Sequence, residues 1–160
     1  MYSMTNNPIP PLIRPLSSCE AWLLRRFLYE AIFVPEGVPA PPESIVDAPE
    51  LKVYIEDFGS RKDDLCLVAE QDGVVVGAVW TRIMDDFGHI DVQTPSLAIS
   101  LLPEYRGKGI GSRLLSAMLE LLRQKGCSRV SLSVQKENRA ALRLYLKHGF
   151  TPSAKAMRSM

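Results

Sequence analysis

Apolar and polar positions along the 160-residue chain change period several times, and each change marks the start of a new element. Residues 9–16 alternate weakly and are interrupted by three prolines, which predicts an edge strand. Ser17 or Ser18 offers an N-cap for a helix over about 20–33, whose apolar face would carry Trp22, Leu23, Phe27, Leu28 and Ala31. That helix stops at Pro35. Between Pro35 and Pro49, five prolines and Gly37 exclude regular structure, and a loop of that length in a small domain is more often functional than idle. A second short helix is predicted over about 49–58, closed by Gly59.

Two β-rich runs, 65–70 and 74–84, flank Gln71-Asp72-Gly73 and predict a hairpin. After the polar stretch 85–94, a third strand covers about 96–102 and ends at Pro103. A long helix over about 108–125 follows, with Ile110, Leu114, Leu115, Met118, Leu121 and Leu122 on one face and Gly126 as its stop. Val130, Leu132 and Val134 alternate with Ser131 and Ser133 in a strand over 129–135. Asn138 caps the next helix, in which Ala141, Leu142, Tyr145 and Leu146 face inward and Arg139, Arg143 and Lys147 recur every four residues. Helices, a hairpin, then strand-helix-strand-helix-strand is the order of an α/β (α+β) sandwich around a mixed sheet.

Length and composition narrow this to one domain. A chain of this size with 46% hydrophobic residues buries one core, since single domains run about 100 to 200 residues. Residues 1–160 are therefore read as one domain with its core at 9–160, and 1–8 as a flexible N-terminal segment. Cys19, Cys66 and Cys127 are odd in number and widely spaced, without a CxxC pair or histidine cluster, which fits a reducing cytoplasm and no metal site. The first residues lack a basic and an apolar leader region, and no apolar run approaches the ~18 residues of a membrane span. Neither targeting nor a membrane is expected. The net charge of +1 conceals an asymmetry: residues 1–100 carry 15 acidic and 7 basic side chains, whereas 101–160 carry 3 and 12. A basic C-terminal part suggests an anionic ligand there and an acidic N-terminal part a cationic one.

The most informative stretch joins the third strand to the long helix through Arg106-Gly107-Lys108-Gly109-Ile110-Gly111. Three glycines and two cations at a helix N-terminus present unpaired amides and the positive end of the helix dipole, and glycines allow a phosphate to approach closely. The loop is suited to an anion. The Walker A spacing is absent, because Lys108 lies between glycines with no Ser or Thr after it in register, and the glycines are spaced GxGxG rather than GxGxxG.

Arg106-Gly-Lys-Gly109-Ile-Gly111 resembles the coenzyme A pyrophosphate loop of the GNAT superfamily, Gln/Arg-x-x-Gly-x-Gly/Ala. Asn138-Arg-Ala-Ala-Leu-Arg-Leu-Tyr145-Leu-Lys-His-Gly-Phe150 is similar to that family's Asn-x-x-Ala-x-x-Leu-Tyr-x-x-x-Gly-Phe segment. The resemblance covers roughly residues 9–160 and implies a mixed, mostly antiparallel central sheet flanked by helices. It implies transfer of an acetyl group from acetyl-CoA to a primary amine, without a metal. In the family two more strands follow the Gly-Phe, and only ten residues remain here. The last strand is therefore expected to be short, absent, or made with a partner chain, and a homodimer is one way to complete the sheet.

The resemblance assigns the pyrophosphate to the amides of Arg106, Gly107, Lys108, Gly109, Ile110 and Gly111, with Ser112 just inside the helix. Ile99 and Leu101 would pair with the pantetheine arm, the Leu101 N–H would stabilise the oxyanion, and Asn138 would meet coenzyme A as well as capping its helix. The stripe of Arg139, Arg143 and Lys147 would serve the 3′-phosphate, with Arg143 as the contact. Tyr145 matches the family's tyrosine that protonates the departing thiolate; by position alone it is a core tyrosine. The family's base is often a glutamate early in the central strand, and none stands here. Asp91 and His89 are the nearest candidates, Glu70 and Asp57 more distant ones, and a water chain is equally open. Tyr54, Asp57, Phe58 and the proline-rich loop fall where the family builds its acceptor pocket. Two rivals stand beside this reading: a non-catalytic acyl-CoA-binding regulatory domain, and a nucleic-acid module on the α-helical cations. The sequence pI of about 7.7 is below the ~9 expected of the latter, so no nucleic-acid partner is expected.

Overall fold

The computed structural model describes residues 9–84 and 93–152, and the backbone of Met157–Ser159. One seven-stranded sheet organises them, formed by β1 (Leu12–Pro15), β2 (Leu65–Gln71), β3 (Val74–Arg82), β4 (Ser96–Leu101), β5 (Val130–Leu132), β6 (Phe150–Thr151) and β7 (Met157–Ser159). Their order across the sheet is β1-β2-β3-β4-β5-β7-β6, and every pairing is antiparallel except that of β4 with β5. The hairpin follows from its turn: Asp72 and Gly73 both have positive φ, 52° and 79°, as a two-residue type I′ connection requires. Alternation along β2 then builds two cores. Cys66 and Val68 face α1 (Leu24–Glu30) and α2 (Pro49–Lys52), while Leu67 and Ala69 face α3 (Ile110–Gln124) and α4 (Arg139–Lys147).

The expected elements are present, with corrections that have local causes. The helix predicted over 20–33 opens as a 3-10 turn at Ser18–Leu23 and becomes α-helical only at Leu24–Glu30. Three residues per turn shift the phase of the first turn, so Leu24, Phe27 and Leu28 are buried while Trp22 is 74% exposed and Ala31 is exposed. Ser17 is the cap, its N–H donating to the Glu20 carboxylate at 2.9 Å. The proline-rich segment carries a 3-10 turn at Glu43–Asp47, and the second helix is only four residues long. α3 starts at Ile110 because Gly109, with φ of 84°, is its N-cap. Leu146, expected to face inward, is exposed at the outer edge of α4. The last strands are short and made by the chain itself, β7 inserting between β5 and β6.

The largest departure from the sequence reading is a buried ion pair. Arg82 and Asp64 both have side chains with 0% exposure, joined by Nε–Oδ1 at 2.9 Å and Nη2–Oδ2 at 2.8 Å. Arg82 Nη1 donates to the carbonyls of Val53 and Glu56, and Asp64 also accepts from the amides of Gly59 and Arg61. The guanidinium lies 5.1 Å from the Phe58 ring centroid. One side chain on β3 thus fixes the segment after α2, because four guanidinium hydrogen bonds and both carboxylate oxygens are satisfied together.

Candidate active site

The sheet opens beside β4. Its parallel ladder to β5 consists of the Ser96↔Ser131 pairing among the described residues, with Ser131 N–H donating to the Pro95 carbonyl at 3.0 Å. On the other side β4 pairs with β3 along its full length. Leu102 N–H donates to the Val76 carbonyl at 2.9 Å, so the residues in step with it, Ser100 and Ala98, turn their backbone groups to β3. Ile99 and Leu101 turn theirs the other way, into the gap that widens towards the end of β4. Two predicted site residues therefore offer backbone donors and acceptors to an extended ligand.

The glycine loop lies at the mouth of this gap. Gly107 and Gly109 are left-handed, with φ of 74° and 84°, and a Cβ at either would meet no atom within 4 Å. Gly111 differs: a Cβ there would contact Leu101 Cδ1 and Leu144 Cδ2, both at 3.7 Å, so it tucks the helix against the end of β4. Gly109 supplies no side-chain cap, which leaves the amides of the first turn of α3, Ile110 to Ser112, without a side-chain partner. These are the donors that an anion at a helix N-terminus uses. Lys108 lies over the Tyr105 ring at 5.5 Å. Arg106 reaches back to α1, its Nη2 lying 3.2 Å from both the main-chain carbonyl and Oε1 of Glu30.

On the next helix, Asn138 accepts from Ala141 N–H at 3.2 Å, so its capping role is present. Arg143 is exposed with Arg139 and Lys147 on the outer face of α4. Tyr145 is 8% exposed, with Phe150 at a ring-centroid separation of 5.7 Å. Its hydroxyl has no hydrogen-bond partner among the described residues, and burial pushes its pKa up to about 12. Ser112 belongs to a contact absent from the sequence reading: His148 Nε2 lies 3.2 Å from Ser112 Oγ and 3.1 Å from Ser116 Oγ, while Nδ1 is 2.9 Å from the Leu144 carbonyl. A carbonyl only accepts, so Nδ1 donates to Leu144, while Nε2 meets two serine hydroxyls, each able to donate or accept. This joins the end of α4 to the first turns of α3.

The candidate bases divide. Asp91 and His89, with Asp85 and Asp86, lie outside the described residues. Glu70 is on β2, separated from β4 by β3, and its carboxylate is held by Arg14 at 3.0 Å. Asp57 is exposed in the turn after α2 with φ of 50°. Tyr54 and Phe58 pack against the α1–α2 core, and the Tyr54 carbonyl accepts from Trp80 Nε1 at 3.1 Å. A separate hollow of about 260 Å³, lined by Trp22, Arg25, Arg26, Tyr29, Glu43 and Val46, includes no residue of the loop or the gap. Glu30, Arg82, Asp64 and His148 were not singled out from sequence; the only signal was a lone arginine closing the apolar run of β3. Among the described residues no three side chains are grouped to hold a metal ion, and no helix is long and apolar enough to cross a membrane.

The model of the Acetyltransferase (GNAT) family matches residues 26–150. A [ribosomal protein bS18]-alanine N-acetyltransferase by name, from Bacillus subtilis, is 39% identical over 88 residues, covering 54% of this chain and 53% of that protein. The mycothiol acetyltransferase of Thermomonospora curvata is 38% identical over 116 residues, 68% of this chain and 37% of that one. The chain thus spans about half the length of the first relative and less of the second. The crystal structure of the PaiA N-acetyltransferase from Thermoplasma acidophilum in complex with coenzyme A has a TM-score of 0.67 at 23% identity, covering 94% of this chain and 99% of that one, which establishes the shared fold.

Proposed function

Because the chain belongs to the acetyltransferase (GNAT) family, we propose that residues 9–160 form one catalytic unit that transfers the acetyl group of acetyl-CoA to a primary amine, by direct attack in a ternary complex. The observation that carries this reading is the gap between β4 and β5, with the backbone of Ile99 and Leu101 turned into it and a glycine loop, open at Gly107 and Gly109, at its mouth. One extended thioester with a pyrophosphate at its far end uses both features at once.

In this reading the amides of residues 106–112 hold the pyrophosphate, reinforced by the half-charge at the N-terminus of α3 and by Lys108. Ile99 and Leu101 pair with the pantetheine arm, Asn138 adds a polar contact beside its cap, and Arg143 meets the 3′-phosphate. The amine nitrogen attacks the thioester carbon, and the Leu101 N–H receives the developing oxyanion. As the carbon–sulfur bond breaks, the thiolate takes the Tyr145 proton and the amine releases its own, to Asp91 or to water. Tyr145 remains protonated at neutral pH because its pKa lies near 12, so the proton is present when the sulfur needs it. The hydroxyl lacks a protein partner among the described residues, which leaves it available to a substrate atom.

The acceptor follows from charge. The acidic N-terminal part includes Asp57 in the region the family uses for its pocket, and it suits a cationic amine such as a polyamine or a peptide amine. Three unpaired cysteines, Cys19, Cys66 and Cys127, fit a cytoplasmic setting. The chain's own β6 and β7 close the sheet, so a homodimer is not needed to complete it.

Thiol release from acetyl-CoA with a panel of amines tests the proposal. Release that depends on the amine supports it. Calorimetric binding of acetyl-CoA with no release for any amine would point instead to a regulatory acyl-CoA-binding domain, and absence of binding would remove the gap and loop from consideration.

A further inference from the structure

The contact between Arg106 and Glu30 links two parts of the molecule that the sequence reading kept apart. Glu30 is the last residue of α1, and its side chain is 9% exposed. Its Oε2 accepts from Arg26 Nε at 2.8 Å, and its Oε1 and main-chain carbonyl each lie 3.2 Å from Arg106 Nη2. The main-chain carbonyl belongs to the last turn of α1, where no helical amide follows to satisfy it, so Arg106 also acts as a C-terminal cap for that helix. Only one of the three guanidinium nitrogens is used. Among the described residues Nε and Nη1 of Arg106 have no partner, and they are attached to the first residue of the anion loop.

We propose that Glu30 is a positioning residue for this loop: it holds Arg106 through Nη2 and so presents Nε and Nη1 to the pyrophosphate of the acyl donor. The inference rests on the acetyl-CoA reading above and adds a residue from the opposite end of the fold to the donor site. Two effects of Glu30 compete. Its charge opposes an anion nearby, whereas its grip on Arg106 removes rotamer freedom from a side chain 52% exposed, which would otherwise be lost on binding. Arg26 already neutralises the carboxylate, so the positioning effect prevails. A planar guanidinium fixed on one edge offers its other edge to an oxyanion in a defined direction, as a free arginine does not.

The two effects predict opposite signs, which makes the test sharp. Glu30→Gln and Glu30→Ala are compared with wild type by calorimetry with coenzyme A, and by steady-state kinetics with acetyl-CoA and with acetyl-pantetheine, which lacks the pyrophosphate. Coenzyme A affinity is expected to fall roughly two- to five-fold in Glu30→Ala and less in Glu30→Gln, the range of a half-exposed ion pair. The KM for acetyl-pantetheine should not change. In an Arg106→Ala background, Glu30→Ala should produce no further loss. Unchanged or tighter coenzyme A binding in folded Glu30→Ala would overturn the proposal. So would an equal loss with acetyl-pantetheine, or additive losses in the double variant, since each would mean that Glu30 only supports the fold. Wild-type protein that binds no coenzyme A would instead defeat the donor reading itself.

Discussion

Tyr145 shows how one residue can satisfy two demands. Its ring packs in the α3–α4 core, and its hydroxyl remains without a protein partner among the described residues. Tyr145→Phe keeps the packing and removes the proton, so kcat should fall roughly ten- to a thousand-fold with little change in acetyl-CoA affinity, as stopped assays and calorimetry would show. The loss should shrink for thioesters with more acidic leaving thiols. The pKa shift also has a stability consequence. The folded value of about 12 lies above the ordinary 10.0, so the contribution of the neutral tyrosine is complete below about pH 10 and lost as pH rises towards 12. Alkaline unfolding should therefore steepen in that window for wild type and less for Tyr145→Phe. Gly109 makes a different demand. Its φ of 84° costs a side-chain-bearing residue about 1–2 kcal/mol, and a β-branched one more, while the space around it is open. Gly109→Val should fold with a slightly lower Tm and lose coenzyme A binding by calorimetry; wild-type affinity in a folded variant would exclude the loop from the site.

Among the elements, the segment between α2 and β2 depends most on one distant residue. Residues 53–64 contain little regular structure, and Arg82 on β3 supplies the partner of the Val53 and Glu56 carbonyls and of the Asp64 carboxylate. Arg82→Met would leave Asp64 buried and unpaired, a cost of about 3–5 kcal/mol by comparison with broken buried pairs, visible as a large fall in the denaturation midpoint. Burial alone would raise the Asp64 pKa, yet the hydrogen bonds from Arg82 and from the Gly59 and Arg61 amides outweigh it and hold the carboxyl below 3.8. A depressed carboxylate stabilises the fold above its ordinary value and ceases to do so as pH falls. Glu20 acts in the same direction, held at about 2 chiefly by hydrogen bonds from Arg14 against an ordinary 4.5. Acid titration monitored by near-UV circular dichroism should therefore show stability falling from about pH 4.5 downwards, and Asp64→Asn should weaken that dependence.

At the scale of the whole molecule, charge is divided between the two ends of the chain. Residues 1–100 are net acidic and 101–160 net basic, and most residues of the proposed donor site, from Leu101 to Arg143, lie in the basic part. Cationic acceptors should accordingly outrun acidic amino acids, with kcat/KM rising with pH until the amine or its base is deprotonated. Raised salt should weaken the preference, because attraction at an exposed mouth is screened over about 8 to 10 Å. Steady-state kinetics with matched acceptors differing only in charge would check this, a preference for glutamate-like amines at low salt being the contrary result. The hairpin, the glycine loop, the Asn138 cap and most of the apolar face of α3 could be read from sequence, because each depends on residues within a few positions of one another. Trp22 was misplaced because a 3-10 turn changes the period without changing composition. The pairing of Arg82 with Asp64, of Arg106 with Glu30, and of His148 with Ser112 joins residues 18, 76 and 36 positions apart. No local pattern encodes such contacts. The gap between β4 and β5 likewise exists only once the sheet is assembled, since backbone groups become unpaired by the divergence of two strands and not by the identity of either.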